Sequence, residues 1–456
     1  MSKANFRRKL ARRQAGLDRL VNCAFWGVAI FLGLAVCGSL FFPEIKDAVF
    51  GASGFAGAML LKKRMTYISN DDLNLTTTEA DNLAAKTLQT RIDRTWPIEE
   101  IIVSAEVLVD NAALTDAVTF GLLNIVKKLT LEINDGNQPR NVVNVTGPGL
   151  LIYCANAGHT LSHSTLAALS GTRKKRYETT GIYRIDYRIP FAPPQINEPL
   201  RTRCLLPVHL YPQDPVLTIQ TGAAADLDGT DTDPITSLHT DIILKRREMP
   251  KAVTDQILQT GGFLNGDLIE KQQTLAGSLT DVEQRIEVPT PGEYTGLAIY
   301  HIKGGTKGTI DEISANTTAG SETRWRLEAG GVVFQDWRQK HMKSVNDMSR
   351  PLTAAYVLED VAANTNILSA NFAGARGTGS GVESPSCIYL DFLTDEIHDA
   401  NELGSCLDAN IPANSGLKLE LIGNVTTPAA STIASSINLV GHRFFGDLSA
   451  YKAIKF

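Results

Sequence analysis

The sequence predicts an all-β body made of two similar β-domains in tandem, preceded by a membrane-anchoring helix. Three observations predict it. Short runs of alternating apolar and polar residues, rich in Val, Ile and Thr, recur through the middle and end of the chain. The second half repeats the strand pattern of the first. A long stretch near the N-terminus carries no charge at all. At 456 residues the chain also exceeds what one hydrophobic core usually fills.

The anchor comes first in the chain. From Val21 to Phe42 no side chain is charged, and at ~1.5 Å per residue a helix of that length crosses roughly the ~30 Å hydrocarbon core of a bilayer. Its apolar contacts with lipid are assigned to Val21, Phe25, Trp26, Ile30, Phe31, Leu34, Leu40 and Phe42. A secretory signal peptide is the competing reading, although its apolar region runs only about 7–15 residues. Leu34-Ala35-Val36-Cys37 is similar to a lipoprotein cleavage box, but Val36 is too large for the position before the Cys. A second apolar stretch, Ala48 to Leu61, holds Gly51, Gly54 and Gly57 and is short for a full span. It lies in the interface, returns as the second arm of a hairpin, or begins a tilted span. Cations flank the two stretches at both outer ends: Arg7, Arg8, Lys9, Arg12 and Arg13 before, Lys62, Lys63 and Arg64 after. That placement suits a hairpin with both ends on one side of the membrane, where these side chains meet lipid headgroups. Residues 1–69 are accordingly assigned to a basic tail and anchor, and the polar stretch 70–90 to a linker.

Strand signals begin with Trp96 to Val109, a dense run broken only by Glu and Ser. Val126 to Ile133 alternates, with Leu129, Leu131 and Ile133 on one face, and Asn134-Asp135-Gly136 closes it with turn chemistry. Tyr183 to Phe191 places Ile185, Tyr187, Ile189 and Phe191 together before the Ala192-Pro193-Pro194 break, and Val216 to Gln220 and Ile242 to Lys245 follow. An offset of 202 then lays Cys204-Leu205 on Cys406-Leu407 and Leu217-Thr218-Ile219 on Leu419-Glu420-Leu421. With small slips, Tyr187, Ile189 and Phe191 match Ile388, Leu390 and Phe392, and Ile242-Ile243-Leu244 matches Ile437-Asn438-Leu439. The two domains are therefore expected at 91–275 and 276–456.

Charge excludes some functions. Residues 1–64 hold eleven cations against three anions, a balance of +8, so with −5 over the whole chain the remaining residues carry −13. An acidic body argues against wrapping nucleic acid, which needs clustered Lys and Arg. The cluster Arg173-Lys174-Lys175-Arg176 lacks interleaved aromatics and reads as a solvated loop tip. Cysteines 23, 37, 154, 204, 387 and 406 contain no CxxC pair and read as reduced apolar residues.

Candidate chemistry is sparse. In YLDFLTD, Asp391 and Asp395 are spaced like glycosidase carboxylates, but Asp391 reads as the solvated side of a strand and Asp395 as its closing turn. His159 and His163 would share a helix face without a third metal ligand nearby. Gly374, Gly377, Gly379 and Gly381 lead into Ser384-Pro385-Ser386 instead of the helix that a phosphate loop needs. Trp325 and Trp337 could form a sugar-stacking surface or pack in a core. No catalytic residue, metal or cofactor is expected. A membrane-anchored carbohydrate-binding β-sandwich and an anchored glycoside hydrolase stand as competing classes.

Three stretches carry a resemblance. Trp96-Pro97-Ile98-Glu99-Glu100-Ile101-Ile102-Val103, Cys387-Ile388-Tyr389-Leu390-Asp391-Phe392-Leu393, and Gly416 to Leu421 leading to Ile437 through Phe445 resemble the double jelly-roll major capsid proteins of tailless icosahedral viruses with an internal membrane, of the tectivirus and corticovirus kind. The likeness covers residues 90–456 and is one of pattern. It implies two eight-stranded jelly rolls and homotrimers that form pseudo-hexagonal capsomers. It also implies contacts with neighbouring capsomers, membrane lipid and minor capsid or vertex proteins, and a place in a virion capsid over an internal membrane. The long apolar N-terminal segment departs from the short basic or amphipathic tail of many members. Loops such as Gly222 to Thr240 and Gly374 to Ser386 would clasp neighbours or build an outer tower.

Overall fold

The computed structural model describes residues 62–75, 80, 83–109, 121–159, 181–193, 198–227, 235–259, 261–275, 279–303, 309–310, 324–338, 359–360, 365–366, 387–392, 407–408, 417–425 and 436–445, apart from positions 70, 137, 265, 290 and 330. By proximity the chain divides into two units. One is residues 1–61 with Pro250–Thr254 and Phe456, and the other contains Lys62–Met249 and Asp255–Lys455. Everything below belongs to the second. The expected anchor, from Val21 to Phe42, and the cations Arg7, Arg8, Lys9, Arg12 and Arg13 lie outside the described residues. Among the described residues no helix is long and apolar enough to cross a membrane.

The first sandwich uses β1 (Lys63–Ser69), β2 (Thr87–Arg91), β3 (Ile98–Val109), β4 (Val126–Asn134), β5 (Pro139–Thr146), β6 (Gly181–Pro190), β7 (Val216–Thr221) and β8 (Ile235–Arg247). One sheet runs β1-β8-β3-β6, and facing it runs β5-β4-β7-β2. Consecutive strands mostly change sheet, which is how a jelly roll interleaves its chain. The expected anchor boundary and linker are corrected here, since Lys63–Ser69 and Thr87–Arg91 are strands of this sandwich. Both were overlooked because they are edge strands, where polar and charged residues replace the clean alternation of a half-buried strand. Between the sheets pack Ile101, Val103, Ile185, Tyr187, Ile242 and Leu244 from one side and Leu129, Leu131, Val143, Leu217 and Ile219 from the other. The turn after β4 is built as its sequence implies: Gly136 takes φ 102° and donates its N–H to the Asn134 side chain at 3.0 Å.

The second sandwich repeats the pattern with β9 (Gly266–Thr274), β10 (Leu279–Glu287), β11 (Glu293–Lys303), β12 (Thr309–Ile310), β13 (Arg324–Ala329), β14 (Val332–Arg338), β15 (Glu359–Asp360), β16 (Thr365–Asn366), β17 (Cys387–Asp391), β18 (Leu407–Asp408), β19 (Leu417–Val425) and β20 (Ser436–Phe444). One sheet runs β10-β19-β13-β14, and the other orders β9, β20 and β11, with β12, β17 and β18 also on β11. Strands β15 and β16 form a separate ribbon. The matched stretches of the sequence repeat fall in equivalent strands: β6 with β17, β7 with β19, β8 with β20. The Cys-Leu match lies beside one shared event, because Leu206 bridges Ile98, the first residue of β3, while Asp408, 202 residues on, pairs with Glu293, the first of β11. A smaller core of Ile286, Tyr294, Leu297, Ile299, Trp325, Leu327, Leu390, Leu419, Ile437 and Leu439 fills this sandwich.

Two devices join the sandwiches. Strands β5 and β9 pair in parallel through Val143↔Leu268 and Asn144↔Ile269, which fuses the facing sheets into one ten-stranded sheet. Helix α1 (Gly147–Asn156) leaves β5 at this seam, and its Leu150, Leu151, Ile152, Tyr153, Cys154 and Ala155 are all buried. A helix apolar all round needs a core on every side. It finds one because Ala298, Tyr300, Tyr389 and Val440, from the outer face of the second sandwich, belong to the same apolar cluster as the first core. Thr146 caps the helix, accepting from Gly149 N–H at 3.0 Å. Gly147 is required there, since a Cβ would stand 2.0 Å from the Val126 carbonyl oxygen.

Candidate assembly surface

Three gatherings of charged side chains lie on the first sandwich and at the seam. On the outer face of the β1-β8-β3-β6 sheet, register stacks Glu100 beside Lys245, and Ser104 between Asp186 and Asp241. Lys245 Nζ donates to Glu100 at 3.0 Å, Arg188 pairs with the same carboxylate, and Arg184 Nε donates to Ser104 Oγ at 2.8 Å and Asp186 at 3.1 Å. Such cross-strand pairs rigidify the face at about 0.2–1 kcal/mol each. Met65, Tyr67 and Ile182 stand exposed around this ladder.

The second gathering surrounds the start of β1. Glu99 receives Arg247 Nε at 2.7 Å and Nη2 at 3.2 Å, with Arg201 at 3.4 Å and Lys63 at 4.0 Å. Burial alone would raise the Glu99 carboxyl, but the Arg247 hydrogen bond and the three cations outweigh it and hold the group below its ordinary range. Arg246, its side chain wholly buried, donates to Asp93 at 2.6 Å, to the Trp96 carbonyl at 3.0 Å and to Thr66 Oγ1 at 3.1 Å. Of the cations expected at lipid headgroups, Lys62, Lys63 and Arg64 are exposed here, with Arg64 paired to Glu248 and Lys63 leaning on Glu99.

The third lies at the seam. Asp267 on β9 accepts Arg140 of β5 at 2.6 Å and Arg443 of β20 at 3.0 Å, and the Phe445 ring sits 5.3 Å and 4.6 Å from those two guanidiniums. Burial raises the Asp267 carboxyl despite both arginines. Nearby His442 stacks on Phe444 at 4.4 Å, and burial without a charged partner pushes it down to about 3.

None of this assembles the catalytic alternatives. Asp391 ends β17 opposite Gly296, and Asp395 lies outside the described residues. His159 is buried against Tyr153 just past α1, while His163 and the clusters at 173–176 and 374–381 are outside them. Trp325, offered as half of a sugar-stacking surface, is instead core: β13 alternates, and its Trp325, Leu327 and Ala329 face inward. Among the described residues no group of His, Cys, Asp and Glu could hold a metal. The seam and the buried helix were missed in the sequence. Arg140, Asp267 and Arg443 are far apart in the chain, and only their strand context could unite them.

The strand order and sheet pairing define a fold, two jelly-roll sandwiches in tandem. The fold is shared with a crystal structure of the STIV major capsid protein, at 13% identity over 84% of this chain and 96% of that one with a TM-score of 0.51. A chain of the atomic structure of Sulfolobus turreted icosahedral virus matches at 14% identity over 84% of this chain and 90% of its own, also at 0.51. No protein-family model matches the sequence, and no curated protein does.

Proposed function

We propose that this chain is a major capsid protein, a double jelly roll that forms trimeric, pseudo-hexagonal capsomers over an internal membrane. The observation that supports it most is the twice-repeated interleaved strand order fused through β5 and β9, a fold shared with a virus major capsid protein. The roles follow from the chemistry. Val21 to Phe42 anchors the chain in lipid, and Arg7, Arg8, Lys9, Arg12, Arg13 and Lys62–Arg64 contact headgroups. The partners are further copies of the chain, neighbouring capsomers, membrane lipid and minor capsid or vertex proteins, with no catalytic step and no cofactor. Negative-stain imaging of the full-length chain in detergent tests it: a three-fold tile with a six-sided base is expected, and monomers without such tiles would defeat the reading.

A further inference from the structure

The parallel seam inside the chain is one half of a relation whose other half stands open. The counterpart of β5 in the second sandwich is β14, the strand beside β13 at the end of its sheet, just as β5 lies beside β4. The counterpart of β9 in the first is β1. Lys63 pairs with Arg247 and Leu268 with His442, and the repeat matches Ile242 to Ile437, so Lys63, Met65 and Tyr67 stand where Leu268, Glu270 and Gln272 stand. Strands β5 and β9 pair with each other. Among the described residues, β1 and β14 have a strand neighbour on one side only.

Both strands also carry exposed apolar side chains. Met65 is 55% exposed, Tyr67 66%, Val332 59% and Val333 44%, and Ile182, on the sheet face that Tyr67 shares, is 67% exposed. Four apolar residues on two unpaired edges would invite aggregation unless something covers them. In the second sandwich the corresponding face is already closed: β20 is buried on both sides, and Tyr300, Tyr389 and Val440 meet the core that surrounds α1.

We infer that β14 of one copy pairs in parallel with β1 of the next, so that the second sandwich of each chain covers the open face of its neighbour's first sandwich. The interface is heterologous, head to tail, and closes into a ring by repeating between copies the step that the chain takes internally. This rests on the capsomer reading for the number of copies and goes beyond it in naming the edges that meet. Lys63 and Arg64 on β1 discourage pairing with edges other than the intended one.

The test uses the full-length chain in detergent. Asp336→Cys, at the place on β14 that Asn144 holds on β5, is combined in turn with a Cys at each position from 63 to 69, oxidised mildly and resolved without reductant. A disulfide needs Cα atoms within about 7 Å of each other, so covalent oligomers are expected at one β1 position, or at two positions two residues apart, and not with either single Cys. Separately, Met65→Asp with Val333→Asp is expected to weaken self-association by at least about tenfold, since each carboxylate would be carried unpaired into a dry contact. Both sites are exposed in the single chain, so its melting temperature should hold. A wild-type oligomer that survives the Asp pair, with no β1 position cross-linking, overturns this interface and leaves the capsomer reading standing. A wild type that stays monomeric defeats the capsomer reading itself.

Discussion

Strands β1 and β9 open their two sandwiches in the same topological place, yet they live in different surroundings. Strand β9 has neighbours on both edges and carries Asp267 into a buried clasp, whereas β1 has one neighbour and presents Met65 and Tyr67 to solvent. Duplication fixes the fold of a strand but not its surface. What covers a strand decides which residues it can hold: a carboxylate with two guanidiniums at the seam, cations and exposed apolar side chains at the edge. The same contrast separates the cores, since the first extends through α1 into its neighbour and the second is a smaller cluster around Trp325.

The largest effect is expected in that smaller core. Trp325→Ala removes a buried indole from the core of the second sandwich and should cost about 4 kcal/mol, measured by urea unfolding. If the sandwiches unfold as one body joined by α1 and the seam, a single transition will move; two separated transitions would show the seam to be weaker than its geometry implies. Asp267→Asn comes next. It leaves Arg140 and Arg443 facing a neutral amide and should cost about 3 kcal/mol. A loss under about 1 kcal/mol, the range of an exposed pair, would erase the distinction between seam and edge.

How much of this was legible depends on the strand. Buried β3, β4, β6 and β8 announce themselves because one face must be apolar, so Leu129, Leu131 and Ile133 alternate in plain view. Edge strands carry no such obligation. KRMTYIS reads as the end of an anchor and TLQTR as a linker, and only their hydrogen bonds to β8 and β7 reveal them. The α1 run GPGLLIYCAN is apolar on every side, so periodicity cannot tell it from a buried strand. The charged sites depend on register: Glu100 meets Lys245 and Arg188 only because three distant strands align. Trp325 could be read either way until the alternation of β13 pointed it inward.

Acid sharpens the contrast at a third level. His442 ends the covered face of β20 and has no counterpart imidazole on β8, where Arg247 holds the equivalent position. Burial lowers its native value to about 3 from 6.5. Between those values the unfolded chain binds a proton that the native state refuses, so stability falls as pH drops below 6.5 and the loss is complete near 3. By pH 5 this amounts to about 2 kcal/mol. Melting temperatures of wild type and His442→Gln across this window should converge on acidification, and parallel curves would mean that water reaches the ring.

The smallest effect belongs to the open edge. Arg64 pairs with Glu248 at the start of β1, but its side chain is half exposed and its strand has a neighbour on one side. Solvent screens such a pair, and holding two long side chains together costs entropy, so Arg64→Ala should shift the stability of the single chain by no more than about 0.5 kcal/mol. Raising salt should shrink even that, whereas the buried Asp267 clasp should respond little to the same salt. A loss of more than about 2 kcal/mol for Arg64→Ala would mean that the edge is covered within one chain, which would remove the reason for a second copy to bind there.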